Sequence, residues 1–206
     1  MRRSHFGQLA DSFADFGSAL AISSQWRVVG APRDDAGGIN AGAAHVYARV
    51  GDSWEYDGRL DDASVVADDQ YGCSLAIDGS DLLIGVYRSD VASIDGGAVF
   101  RYRYLAGSWF AAELLLPEPS SPGMEFGTSV ALDDDWMVIG APSDGSDAAR
   151  SGSVHLVPRS DEVSSMRLRM GVGEADGLEL MGTSVAMSDH CIVAGLPLQS
   201  EVGEYS

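Results

Sequence analysis

The chain contains no lysine: all 13 of its basic residues are arginine, against 31 aspartates and glutamates, and the formal net charge is −18. Without lysine there can be no Schiff base of the pyridoxal or aldolase kind and no P-loop lysine on a nucleotide phosphate. The acidic balance argues against binding to nucleic-acid phosphates or to anionic membrane surfaces. It is typical of a solvated surface that keeps a protein soluble, and it also agrees with cation binding or a salty habitat.

Long apolar runs and familiar catalytic motifs are missing as well. No run approaches the roughly 18 apolar residues of a membrane span, so we expect no membrane insertion. The basic start is not followed by the apolar stretch of a secretory signal. There is no Gly-x-Ser-x-Gly elbow, no His-Glu-x-x-His and no cysteine pair at ligand spacing, so we predict no catalytic residues. Two converging aspartates, as in glycosidases, remain the enzymatic alternative.

What the sequence does contain is a 55-residue repeat without insertion or deletion. Three series of glycines mark it: Gly17, Gly72, Gly127 and Gly182; Gly30, Gly85, Gly140 and Gly195; Gly42, Gly97 and Gly152. Self-similarity at a fixed period decides the architecture. Because Cys73 and Cys191 fall at different places in different repeats, we expect no disulfide between them and interpret both as small buried side chains.

Each repeat predicts four short strands and no helix. A small apolar run such as Ser18 to Ile22 is interpreted as a first strand buried on both faces. A second strand ends at Gly30-Ala31-Pro32 or its equivalents, where proline removes a ladder donor. The third strand begins at Gly42 and its equivalents. Tryptophan segments, Ser53 to Leu60 and Ser108 to Leu116, supply the fourth strand. The predicted fold is all-β, with about four antiparallel four-stranded β-propeller blades.

The repeat resembles the FG-GAP repeat, named for an opening Phe-Gly and for the Gly-Ala-Pro that closes the second strand. The opening pairs are Phe16-Gly17, Tyr71-Gly72, Phe126-Gly127 and Met181-Gly182. The closing triplet is intact at Gly30-Ala31-Pro32 and Gly140-Ala141-Pro142, and altered at Gly85-Val86-Tyr87 and Gly195-Leu196-Pro197. The resemblance covers residues 13–206. It implies an integrin-α-like propeller, a ligand-recognition or adhesion platform outside the cell or on its surface.

Calcium is the one cofactor that the resemblance suggests. Integrin-type repeats often carry a calcium loop, Asp-x-Asp-x-Asp-Gly, between the first and second strands. That connection is only a few residues long here and never spells the pattern. We therefore expect no cofactor, with calcium left open.

The predicted organisation is a single propeller region over residues 1–206. Its repeats are 16–70, 71–125, 126–180 and an incomplete 181–206. Residues 1–15 correspond in register to 56–70, so they could form the outer strand of a closing blade. Three arrangements stay open: part of a larger propeller, a part completed by other copies of the chain, and a four-bladed ring.

Candidate ligand-binding residues lie in the loops between second and third strands, which emerge on one rim of a propeller. They are Arg33, Asp34, Asp35, Arg88, Asp90, Asp144 and Asp147. Asp144 and Asp147 are also candidate ligands for a hard cation. The alternative is that these residues only form turns.

Histidines and tryptophans fit the repeat as packing residues. His45 and His155 share a repeat position with Phe100 and are interpreted as half-buried strand residues, and His190 as a turn residue. Trp54 and Trp109 are expected to pack on outer strands, and Trp26 and Trp136 to open second strands. Exposed aromatic rings could instead stack on sugars.

The leading hypothesis is a non-enzymatic extracellular recognition or adhesion module whose partner is a protein or a glycan. The alternative is a structural subunit whose copies pair into a surface fibre or sheath. A glycan-active enzyme or lectin is the third hypothesis.

Overall fold

In the computed structural model, the described residues are 14–145, 150–160, 168–171, 179–188 and 191–197. They form 14 strands and no helix, which confirms the all-β prediction. No helix in these ranges could cross a membrane.

The strands form four antiparallel sheets, and within each the strands follow chain order. The first sheet contains β1 (Leu20–Ile22), β2 (Trp26–Ala31), β3 (Ala43–Val50) and β4 (Ser53–Leu60). The second contains β5 (Leu75–Asp78), β6 (Asp81–Val86), β7 (Ala98–Leu105) and β8 (Ser108–Leu115). The third contains β9 (Ser129–Leu132), β10 (Trp136–Ala141), β11 (Ser153–Pro158) and β12 (Leu168–Gly171). The fourth contains β13 (Val185–Ser188) and β14 (Cys191–Ala194) among the described residues.

The predicted strands agree with this order, and β4 and β8 match the two tryptophan segments to within one residue. A register irregularity also repeats: it falls at Val46/Tyr47 in the first sheet and at the equivalent Arg101/Tyr102 in the second. Of residues 1–15, proposed as a possible outer strand, 1–13 lie outside the described part of the chain, as does His190.

The prediction for the first strands is wrong in one respect. They are partly exposed rather than buried on both faces, and in β1 the exposed and half-buried residues alternate. The reason is topological: each first strand is a sheet edge and pairs only with the second strand. Full burial belongs to the central strands, and every residue of β6 is buried.

Consecutive sheets pack face to face, and their first strands are neighbours: β1 contacts β5, β5 contacts β9, and β9 contacts β13. The two faces of β6 serve different cores. Leu82 and Ile84 pack in one cluster with Val28 of the first sheet, whereas Leu83 packs in another with Met137 of the third. Successive side chains of a strand point to opposite faces of its sheet, so a sheet covered on both sides buries them alternately in two cores.

Glycine marks the closest approach between sheets. The backbone of Gly42 bridges in parallel to Tyr71, and equivalent bridges join Gly97 to Phe126 and Gly152 to Met181. A Cβ atom on Gly85 would overlap the carbonyl oxygen of Gly127 in the next sheet. The repeated glycines are therefore required by contact between sheets as well as by turns.

The tryptophans occupy their predicted places. Trp26 and Trp136 open β2 and β10. The guanidinium of Arg27 lies 3.9 Å from the centroid of the Trp54 ring, in the geometry of a cation–π contact. Trp26 and Trp109 meet across the first two sheets, with ring centroids 5.1 Å apart, a contact that the repeat pattern does not predict.

An ion-pair network joins the second and third sheets at the end where the first and second strands are connected. Asp81 accepts hydrogen bonds from Arg101 Nε at 2.9 Å and from Arg159 Nη2 at 2.9 Å. Arg159 also donates to Asp78 and to the carbonyl oxygen of Asp133. Burial of Asp81 opposes its ionisation, but the arginine hydrogen bonds outweigh this and lower its pKa.

The two cysteines differ in environment. Neither forms a disulfide. Cys73 is partly buried, and burial of its thiol raises the pKa to about 11. Cys191 is exposed, so its interpretation as a buried residue is wrong.

Candidate functional site

The loops that follow β2, β6 and β10 are built from the same backbone hydrogen bonds. Asp34 N donates to Ala31 O at 3.0 Å, and Gly42 N donates to Asp34 O at 3.0 Å. The equivalent bonds centre on Ser89 in the second loop and on Asp144 in the third. One buried residue thus ties both ends of each loop.

Each loop also crosses to the segment that leads into the next sheet. Ile39 O accepts from Asp68 N at 2.8 Å, and Ile94 O accepts from Gly123 N at 2.8 Å. In the third loop, Ser151 O accepts from Met181 N at 2.9 Å. Since β3 and β7 run away from these loops to hairpins at the opposite end, the loops and crossing segments form one rim of the molecule. We call it the loop rim.

Two predicted site residues, Asp34 and Asp144, are buried beneath the loop rim. The carboxylate of Asp34 accepts from Arg59 Nη2 at 3.0 Å and lies 3.8 Å from His45 Nε2. The carboxylate of Asp144 accepts from Ser153 Oγ at 2.6 Å, and that hydroxyl lies 3.1 Å from His155 Nε2. Both carboxylates bind groups inside the protein.

The two histidines are buried, more deeply than the half-burial predicted for them. Burial lowers the pKa of His45; the Asp34 carboxylate acts in the opposite direction, and Arg59 adds to the lowering. In the second loop the pair is replaced as a whole, since Ser89 and Phe100 occupy the positions of the aspartate and the histidine. We therefore interpret the two histidines as residues that support the loops from below.

Four other predicted residues, Arg33, Asp35, Arg88 and Asp90, lie at the surface of the loop rim. Asp35 accepts from Asn40 N and the equivalent Asp90 accepts from Asp95 N, each at 2.8 Å. Arg33 pairs with Asp15 at 3.2 Å. These bonds are those of turn-forming residues, and they hold exposed charges in fixed positions.

Arg88 pairs with Asp95 at 3.1 Å. The last predicted residue, Asp147, lies outside the described residues. Where the structure describes the chain, no group of three or more His, Cys, Asp or Glu side chains is arranged to hold a metal ion.

Sequence reasoning missed the apolar side chains of the loop rim. Ile39 and Ile94 occupy equivalent loop positions and are each 70% exposed. Val66 is exposed in the crossing segment before the second sheet, and Val91 is exposed in the second loop. The detectable signal was an isoleucine recurring 55 residues apart inside loops otherwise rich in Asp, Ser and Gly. We call these four side chains the apolar rim set.

Acidic groups surround this set. Asp35, Asp68 and Asp90 are exposed on the loop rim. Asp69 is buried below, where its carboxylate accepts from Val66 N at 2.9 Å. Burial raises the pKa of Asp69, and Asp90 adds to the rise. A cavity of about 280 Å³ opens beside the first loop, lined by Gly37, Ala41, Gly42, Asp61, Asp62, Ala63 and Val65. The surface thus offers apolar contacts within a negative field.

Comparison with protein-family models matches the FG-GAP repeat at residues 10–47 and 109–157. The matches include the two intact Gly-Ala-Pro triplets, at Gly30 and at Gly140. No curated protein matches the chain. The matched segments, the opening pairs and the equivalent glycine contacts between sheets agree with one another. The chain therefore carries FG-GAP repeats in these segments.

Proposed function

We propose that the chain is a propeller-type recognition or adhesion module, non-enzymatic and acting outside the cell or on its surface, and that it binds its ligand through the loop rim. The FG-GAP repeats in the chain support this, because proteins of that repeat family are generally non-enzymatic and such repeats are typical of extracellular proteins. The stacking of four sheets through neighbouring first strands supports the propeller arrangement.

The observation that carries the proposal is the exposure of Ile39 and Ile94 at equivalent positions of two similarly hydrogen-bonded loops. Exposed apolar side chains ringed by charge are typical of interaction sites. The loops need little ordering on binding because their backbones are already hydrogen-bonded, which reduces the entropic cost of association. Loops held on a rigid scaffold commonly carry such sites.

The chemistry of the loop rim favours a protein partner with apolar and basic side chains. Asp35, Asp68 and Asp90 would attract arginine or lysine, while the apolar rim set would be buried at the centre of the contact. A glycan is the second ligand class, with the cavity beside Gly37 and Asp62 as its site. A protein partner is preferred because the exposed apolar groups are aliphatic and not the aromatic rings that stack on sugars.

The test begins with a panel of immobilised extracellular-matrix proteins and glycans, and the strongest binder is carried into interferometry. The Ile39→Ser/Ile94→Ser variant should weaken binding by about tenfold or more, the effect of removing central contact residues. Raising the salt concentration to about 0.5 M should weaken it further by screening the carboxylates.

A matched control is available at the opposite end of the molecule. Val50 and Leu105 are also exposed and also stand 55 residues apart, at the hairpins after β3 and β7. The Val50→Ser/Leu105→Ser variant should bind normally. Equal losses in both variants, or no binding anywhere on the panel, would contradict the proposal.

A further inference from the structure

Each contact between consecutive sheets has two complementary halves, one on the preceding sheet and one on the following sheet. On the preceding sheet, Gly30, Gly85 and Gly140 leave space for the carbonyl oxygen of the glycine that opens the next repeat. The glycines that open the following repeats, and whose carbonyl oxygens fill these spaces, are Gly72, Gly127 and Gly182 respectively. Ser74 Oγ and Ser129 Oγ complete the contact by donating to the carbonyl oxygens of Gly127 and Gly182, each at 2.7 Å.

The first sheet carries the following half of this contact, and no described residue lies against it at Gly17. A Cβ atom on Gly17 would meet no described atom within 4 Å, whereas its equivalents in the later repeats meet backbone of the preceding sheet. Leu20 is 71% exposed, while its equivalent in the third sheet, Val130, is 8% exposed. Both Leu20 and Ile22 line an apolar cavity of about 390 Å³. We call Phe16, Gly17, Leu20 and Ile22 the head face.

The fourth sheet carries the preceding half, also uncovered. Among the described residues, the atoms nearest a Cβ on Gly195 all belong to Ser184, and no carbonyl of a following repeat lies there. Val193 is 64% exposed, although Val28, Leu83 and Val138 at the same repeat position are fully buried. Ser184 and Ala186 are exposed beside it. We call Ser184, Ala186, Val193 and Gly195 the tail face.

We propose that copies of this chain join head to tail, with the head face of one copy packed against the tail face of the next. The contact repeats the one already made inside the chain: Ser184 Oγ donates to the carbonyl oxygen of Gly17, and Leu20 and Ile22 cover Ala186 and Val193. The equivalents of these side chains lie in the cores between sheets, with Leu75 and Ile77 facing the preceding sheet and Ala21 and Ala76 facing the following one.

A second copy is the occupant that best fits, because one chain carries both halves in the register of its own internal interfaces. The contact is heterologous, so it generates a closed ring or an open filament, depending on the rotation per copy. It is independent of ligand binding at the loop rim, since it uses the two end faces of the stack.

The test measures mass by size-exclusion chromatography with light scattering over a wide concentration range. The unmodified chain should form multiples of the 21.7 kDa monomer. The head variant Leu20→Arg/Ile22→Arg and the tail variant Val193→Arg should each be monomeric. The control Leu105→Arg, an exposed apolar residue at a distant hairpin, should assemble like the unmodified chain. Circular dichroism checks that all variants keep their strands.

Mixing the two monomeric variants gives the decisive result. The head variant keeps an intact tail face and the tail variant an intact head face, so a mixture should form pairs of one copy each and nothing larger. A monomeric unmodified chain would overturn the proposal, including one whose own ends meet. It would also be overturned if the mixture stayed monomeric, or if the head or tail variant assembled alone.

Discussion

At the scale of the residue, comparing equivalent positions of the repeat shows which properties depend on the side chain and which depend on its surroundings. The same place holds Leu20, Leu75 and Val130, yet exposure falls from the first to the last as a preceding sheet covers the position. An apolar residue at this position therefore indicates that the repeat can pack against a preceding sheet. It does not show that the residue is buried in every repeat.

Replacing Gly85 with alanine should lower the free energy of unfolding by about 2 to 3 kcal/mol, the cost of inserting a methyl group into a packed contact. The added Cβ would overlap the carbonyl oxygen of Gly127 and the hydroxyl of Ser74. Urea unfolding measures the change. The control Gly58→Ala meets nothing within 4 Å and should leave stability unchanged or raise it by up to about 1 kcal/mol. A neutral Gly85→Ala would mean that the sheets are not in close contact there.

Replacing His45 with phenylalanine, the residue at the equivalent position 100, should make the fold less sensitive to acid. Burial lowers the folded-state pKa of His45 below its ordinary value of 6.5. Between those two values the unfolded chain binds more protons than the folded chain, so stability falls as the pH falls.

Urea unfolding at pH 8 and pH 5.5 measures this. The substitution should cost at most about 1 to 3 kcal/mol at pH 8, because a larger side chain enters a buried site, and the variant should lose less further stability than the unmodified chain on going to pH 5.5. Equal losses in the two proteins would show that His45 titrates normally in the folded state.

At the scale of the element, the sheets are held together differently at their two ends. On the loop rim the connection is made by backbone hydrogen bonds such as Met181 N to Ser151 O. At the opposite end the second and third sheets are joined by side chains, with Arg159 donating to Asp78 and Asp81 across the gap. The first kind of contact recurs in the repeat, and the second depends on particular residues.

The Arg159→Ala substitution should lower the free energy of unfolding by about 2 to 3 kcal/mol at pH 7, because it removes charge-assisted hydrogen bonds from a mostly buried aspartate. The folded-state pKa of Asp81 is lowered, so its stabilising effect is present above its ordinary pKa and is lost as the pH falls through the folded value. The variant should therefore lose less stability than the unmodified chain between pH 5 and pH 3.

The matched control is Arg33→Ala. Arg33 also pairs with an aspartate, Asp15, but both side chains are about half exposed. Exposed ion pairs contribute about 0 to 1 kcal/mol, so this variant should be close to neutral. A cost for Arg33→Ala as large as that for Arg159→Ala would contradict the assignment of the network to the sheet contact.

Much of this element structure could be predicted from the sequence. The glycine series identified the strand order and the turns, and the tryptophan segments located β4 and β8. The contact of Trp26 with Trp109 could not be predicted, because it depends on how one sheet is placed against the next. Burial of the first strands was overestimated because apolar composition does not distinguish a sheet edge from a sheet centre.

At the scale of the whole molecule, the four sheets are not equivalent. Within the part of the chain that the structure describes, the second and third are covered on both faces, while the first and fourth each have one uncovered face. Local stability generally follows burial of this kind. In a dilute solution of the head variant, hydrogen exchange should be slowest in β6 and β10 and fastest in β1, β13 and β14. Uniform protection across all four sheets would mean that both end faces are covered within one chain.

The predicted site residues likewise fall into an exposed group and a buried group. The loops of the rim were predicted from their position after the second strands, and Arg33, Asp35, Arg88 and Asp90 lie at its surface. Asp34 and Asp144 carry the same residue type but are buried, because each ties its own loop from below. Composition alone cannot separate an aspartate that supports a loop from one that faces a ligand.

The sequence by itself determined the repeat and its all-β character, because glycine spacing and strand periodicity are local properties of the chain. The tertiary structure decided which equivalent residues are covered and which are open: Val28 and Val193 are the same residue type at the same repeat position, one buried and the other exposed. Burial depends on whether another sheet lies against that position, and a repeat in sequence cannot say which of its copies has a neighbour.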